Sequence, residues 1–254
     1  MNICCRALWG AVFLVVFASA PALSGKELEA AVSASLNCGV SSSVVEEVER
    51  AARKGAGKED AAGRIIRLLG NACRASLPME MLERKVAEGL VKRVPLQRIA
   101  VFLERKVADY EFVRRLMETV GDRKPDEQLR RAVTVMGEAL ASGVSRKELQ
   151  DMVFAFSEKE LPAVTLGVEF YSYLSLAGVN RADCMRILEA GFANDSLTPA
   201  WLGFPRVVAL AKRRGVNDRE IADAAEQALK EKGDVKSAMM RLGFTSRPVP
   251  EPKE

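Results

Sequence analysis

The chain has 254 residues, 38 basic against 34 acidic, with 48% hydrophobic side chains and no histidine. Such a length buries a good core in one or two domains, and so even a charge balance demands neither nucleic acid nor an anionic surface as partner. Without histidine, Ser-His-Asp and Cys-His nucleophile systems and HExxH zinc sites are excluded in their usual form, and no GxxxxGK(S/T) or GxGxxG phosphate loop is present.

Residues 1–24 hold one charge, Arg6, ahead of an apolar run over 7–18. That run is short for a membrane span and reads as a secretory signal, with small residues at Ala22 and Ser24 placing cleavage before Gly25. An uncleaved leader is the alternative, and it is the only membrane contact anticipated. Cys4 and Cys5 precede the apolar run and Cys38 lies far beyond it, so no lipoprotein signal is read. Loss of Arg6 lowers the net charge from +4 to +3. The expected location is periplasmic or secreted. There Cys38 and Cys73 can pair across two helices. Cys184, beside Met185 and near Leu188, reads instead as a small buried apolar residue, and the same reading is open to the other two.

Residues 26–76 read as three helices. Gly39 and Val40 end the first, a Ser43 to Glu46 capping box opens the second, and a turn over 55–57 precedes the third, whose core face is Ile65, Ile66, Leu68 and Leu69. Two similar segments follow, LPMEMLERKVAEG from Leu77 and VPLQRIAVFLERK from Val94, each with a proline marking a helix start. Leu77, Pro78, Leu82, Lys85, Glu88, Gly89, Lys92, Val94, Pro95, Arg98 and Ile99 resemble a pattern found in uncharacterised secreted helical proteins of bacteria. The resemblance covers about 25 residues well. It implies a secreted helical protein and carries no activity or catalytic residue. Arg93 departs from the pattern, in which glycine is expected before the valine.

The clearest unit spans 129–156. Leu129, Val133, Met136 and Leu140 form an apolar helical stripe, Gly143 ends it, Ser145 with Glu148 reads as a capping box, and Leu149, Met152, Val153 and Phe156 form a second stripe. Pro125, Asp126 and Glu127 open its first helix. The same grammar recurs at Gly178, Val179, Asn180 and Asp183, and at Gly215, Val216, Asn217 and Glu220. Ala139, Leu174 and Ala211 each stand five before the valine, where a Schellman-type ending makes its apolar contact. The anchors Val40, Val94, Val144, Val179 and Val216 are separated by 54, 50, 35 and 37 residues. These intervals point to stacked helical hairpins, too irregular for a strict solenoid. The expected fold is all-α, irregular stacked hairpins of about eleven helices over 25–244, with a subdivision near 121–124 and a disordered, proline-rich tail over 245–254.

For function, the absence of catalytic sets and the repeated hairpins point to a non-catalytic binding or scaffold protein of the bacterial cell envelope, holding an envelope protein or a cell-wall component without cofactor or metal. Residues 193–205 read as the one long interruption, and Trp201 and Phe204 within it, with Tyr171 and Tyr173, are the candidate contact surface, although burial between hairpins is the stronger expectation for a ring as large as Trp201. An enzyme acting on envelope polymers through Glu158, Glu160 or Glu169 is a second reading. DNA binding through ALASGVSRKELQDMV is a third, opposed by the repetition of the motif, the leader and the charge balance.

Overall fold

The computed structural model describes residues 25–53, 58–121 and 126–244. The leader, the 55–57 turn, Pro125, most of the 121–124 boundary and the 245–254 tail lie outside the described residues. The architecture is all-α. Among the described residues there are twelve helices, one more than the sequence pattern predicts, and no strand: α1 (Gly25–Cys38), α2 (Ser42–Ala52), α3 (Glu59–Arg74), α4 (Met79–Val91), α5 (Leu96–Val120), α6 (Glu127–Ala141), α7 (Arg146–Ala155), α8 (Leu161–Leu176), α9 (Arg181–Ala193), α10 (Phe204–Arg213), α11 (Asp218–Lys230) and α12 (Val235–Arg241). A short 3₁₀ helix, Pro199–Gly203, precedes α10.

One ending serves nine of these helices. After α6 the Val144 N–H donates to Ala139 at 3.1 Å and the Gly143 N–H to Leu140 at 3.1 Å, which satisfies carbonyls that the helix leaves unpaired. The same pair of bonds closes α1, α3, α4, α8, α9, α10, α11 and α12. The turning residue has positive φ throughout: glycine at 39, 143, 178, 215 and 243, but Ser76, Arg93, Asp195 and Lys232 elsewhere. Arg93, at φ 55°, therefore makes the turn that glycine was expected to make. The residue after the turn commonly re-enters the core, as Val40, Leu77, Val144, Val179 and Phe244 do.

Helix starts follow the expected chemistry with one exception. Ser145 and Glu148 form the full capping box, Asn180 accepts from the Asp183 N–H, Asn217 from the Glu220 N–H, and Asp126 from the Leu129 N–H. α2, however, is capped at Ser41, not Ser43, and its first free N–H is taken by a distant group: the Ser41 N–H donates to Glu83 of α4 at 2.9 Å.

The hairpins α6–α7, α8–α9 and α10–α11 stack, α6 against α8 and α9 against α11. Their connecting turns line up because the first residue of each second helix bonds to a neighbouring element. Arg146 reaches Asp109 of α5 at 3.0 Å, Arg181 reaches Asp151 of α7 at 2.7 Å, and Asp218 accepts from the Asn180 N–H and from Lys212. The long α5 packs on α3, α4, α6 and α7, and a single apolar core runs from Val40 to Phe244.

At the start of the array α1 lies on α3. Ser35 Oγ donates to the Ile66 carbonyl at 3.0 Å, and a Cβ on Gly70 would stand 2.5 Å from that oxygen, so the close crossing requires glycine. Cys38 and Cys73 are joined as a disulfide, with Cα atoms 6.1 Å apart, and Cys184 is free and buried.

Candidate functional site

The candidate aromatic surface around Trp201 does not form, and the burial that is the stronger expectation for this ring is what the structure shows. Residues 193–205 are not a loop: a helix-ending turn at Asp195 is followed by the 3₁₀ helix, which leads directly into α10. Pro199 starts that short helix and turns Trp201 inward, where it packs on Phe170 and Phe204 with ring centroids 6.2 and 5.5 Å away. Trp201, Phe204 and Tyr171 are buried to 2% exposure or less, and only Tyr173, at 40%, faces solvent. Burying three large rings is worth several kcal/mol to the fold, far more than exposed rings hold in reserve for a partner.

Nor are the candidate carboxylates brought together. Glu158 and Glu160 are exposed at the α7–α8 junction, and Glu169 accepts from the Tyr173 hydroxyl at 3.2 Å. The nine-residue separation of Glu160 and Glu169 places them about 13 Å apart along the helix axis, outside the roughly 5–9.5 Å of paired glycosidase carboxylates. Among the described residues no group of histidine, cysteine or acidic side chains is placed to hold a metal ion.

Much of the remaining buried chemistry is partnered. All three tyrosines donate to a glutamate: Tyr110 to Glu138 at 2.9 Å, Tyr171 to Glu148 at 3.1 Å, and Tyr173 to Glu169. Burial first, then the neighbouring Glu138, pushes the Tyr110 hydroxyl well above its ordinary value, and burial with Glu148 does the same to Tyr171. Lys106 is only 3% exposed and is held by Glu138 at 2.8 Å and by the Gly137 carbonyl at 3.3 Å. The Cys184 thiol is pushed up to about 12, chiefly by burial, so it remains a neutral core group.

A different region combines concavity with unpartnered charge. The ends of α2 and α4 and the starts of α3 and α5 enclose a cleft of about 660 Å³. Its apolar lining includes Leu90, Val91, Val94 and Leu96, and its charged groups are Glu47, Arg50, Lys58 and Arg93. Val91 is 80% exposed, the most open large apolar side chain among the described residues. Among the described residues the side chains of Arg50, Lys58 and Arg93 make no hydrogen bond or ion pair, in contrast to nearby Lys85 and Lys92. Those two lysines, Lys92 foremost, hold the Glu88 carboxyl down at about 2.

The start of α5 adds to this positive field. Pro95 offers no capping side chain and no acid stands in the first turn, so the free N–H groups of the helix end are uncompensated. The cleft can attract an anion beside an aliphatic surface. Sequence reasoning missed it because its walls come from four helices, although arginine at the glycine position 93 was a visible signal. Searches against protein-family models, curated proteins and solved structures find no match for the chain.

Proposed function

We propose that the protein is a non-catalytic binding or scaffold component of the bacterial cell envelope, exported by its leader and cleaved before Gly25. The Cys38–Cys73 disulfide carries this reading, because such a bond persists where thiols are not kept reduced. The stacked hairpins support the binding role: they hold a rigid outer surface while their buried hydroxyls and ammonium group are engaged internally. The cleft beside Val91 is the part of that surface best shaped for a contact.

The test is fractionation of native cells with thiol trapping, intact-mass measurement, and crosslinking from a photoreactive side chain at position 91. Support is a chain starting at Gly25 in the periplasmic or secreted fraction, with Cys38 and Cys73 blocked to alkylation and one reproducible envelope partner crosslinked. A full-length cytoplasmic chain with all thiols free would overturn the location. Turnover of cell-wall fragments, lost on changing Glu158 or Glu169, would replace binding by catalysis.

A further inference from the structure

Arg93 sits at a position where the backbone is strained for any residue with a Cβ. Glycine fills five of the nine equivalent turns, and a bulky residue in the left-handed conformation costs about 1 kcal/mol. The arginine side chain repays none of this among the described residues, where it makes no hydrogen bond or ion pair. Its side chain instead lines the cleft that Arg50 and Lys58 also line, against a single acid, Glu47, among the described residues. Backbone strain held without an internal partner, beside two further unpaired cations, directs attention to something outside the chain.

We propose that this cleft binds an anionic amphiphile, with its carboxylate or phosphate head held by Arg50, Lys58 and Arg93 and its aliphatic chain laid on Leu90, Val91 and Leu96. The proposal rests on the binding reading above and names the ligand class. Three points select the class. The charge complementarity is to an anion, because three cations stand against one carboxylate among the described lining residues. The volume, about 660 Å³, falls within the roughly 300–1,000 Å³ usual for small-ligand sites. The apolar part of the lining is aliphatic, which suits an acyl chain. Val91, 80% exposed, would be buried by a chain laid there.

The amphiphile has two sources, a free monomer or a lipid presented by a bilayer, and the head and chain chemistry is the same for both. The experiment is a fluorescence titration of the purified, oxidised protein with dansyl-undecanoic acid, followed by competition. Decanoate and decyl phosphate are expected to displace the probe, whereas decyl maltoside and decyltrimethylammonium are not. Arg50→Gln and Lys58→Gln each weaken binding about tenfold, the loss of one charge-assisted contact. Arg93→Gly weakens it similarly while the melting temperature rises, so lost affinity cannot be attributed to a damaged fold. Val91→Ser, at an exposed position, weakens every chain-bearing competitor together.

Co-sedimentation with phosphatidylglycerol vesicles, absent with phosphatidylcholine, assigns the bilayer as source; monomer binding without vesicle binding assigns the free amphiphile. Equal displacement by the uncharged and cationic competitors overturns the proposal, as does unchanged affinity in the Arg50→Gln, Arg93→Gly double variant. Preference for an acidic peptide over decyl phosphate overturns it too. An envelope partner crosslinked at position 91, with no amphiphile bound, leaves the binding function standing and removes this ligand.

Discussion

The ring of Tyr110 on α5 occupies the space that a side chain at position 137 of α6 would need: a Cβ built on Gly137 would overlap the ring at Cδ1. The two helices meet at backbone distance there, and the contact is closed by the Tyr110 hydroxyl and the Lys106 ammonium, both on Glu138. Gly137→Ala is therefore expected to destabilise the protein by about 2–4 kcal/mol despite the better helix propensity of alanine. Urea unfolding of Gly137→Ala alone and with Tyr110→Leu checks this. Removing the ring should recover part of the loss, and strictly additive effects would place the strain elsewhere.

Glu138 also keeps a buried ammonium paired. Glu138→Gln removes that charge while Lys106, 3% exposed, remains, and should cost about 1–3 kcal/mol, the carboxylate being itself partly solvated. Lys106→Met, which removes the buried charge and keeps the volume, should cost less. The midpoint of urea unfolding for each variant measures the difference, and the reverse order would show that the ammonium is not dependent on its partner.

Nine helices share one backbone ending, so its energetics can be tested in both directions. Ser76→Gly and Lys232→Gly, at φ 53° and 55°, should each stabilise by about 0.5–1 kcal/mol. Gly143→Ala, at φ 111°, should destabilise by about 1 kcal/mol or more. Thermal melting of the three single variants gives the comparison, and a uniform sign would contradict it.

The disulfide closes a segment whose ends are 35 residues apart, worth at most about 4 kcal/mol through the entropy of the unfolded chain. Leu28, Ala31 and Val32 of α1 are only half-buried, so reduction should release this helix first. Hydrogen exchange is expected to quicken over residues 28–38 in the Cys38→Ser, Cys73→Ser variant while α5 and α6 stay protected. Uniform acceleration across the chain would mean that the bond supports the whole core.

Stability should fall at both ends of the pH scale, for opposite reasons. The Cys184 thiol has its folded value raised to about 12 from an ordinary 9.0, so its contribution is complete below pH 9 and is lost as pH rises toward 12, reaching roughly 4 kcal/mol. Cys184→Ala should make that alkaline limb shallower and start it later, the raised Tyr110 and Tyr171 hydroxyls still contributing at higher pH. On the acid side Glu148 is lowered chiefly by its hydrogen bond with Ser145, Asp218 by Lys212, and Glu226 by Lys230 and then Arg186. Their contribution is present above the ordinary carboxylate range and disappears as pH falls through the lowered values. Urea midpoints measured from pH 2 to 12 would show both limbs, and an alkaline limb unchanged in Cys184→Ala would contradict the assignment.

Much of the array was legible in local residue patterns. The stripe from Leu129 to Leu140, the Gly143 and Val144 ending and the Ser145 to Glu148 box involve groups within a few residues of one another, so periodicity and capping chemistry decide them without reference to the rest of the chain. The pairing of Cys38 with Cys73 was open as an option because redox context and spacing allow it. Four endings were missed, three because Ser76, Asp195 and Lys232 adopt a backbone conformation that composition assigns to glycine.

What tertiary structure alone decided is where large side chains go when several helices compete for them. Trp201 lies two residues after a proline in a polar stretch, where its size favours burial but leaves a surface role open, and Phe170 and Phe204, reaching it from α8 and α10, decide for burial. Val91 shows the opposite: an apolar residue at the end of an amphipathic helix remains open because the neighbouring helix ends diverge around the cleft. Sequence by itself determined which segments are helical and how they stop; packing between segments distant in the chain determined which surfaces are left to meet a partner, because burial is settled by non-local neighbours.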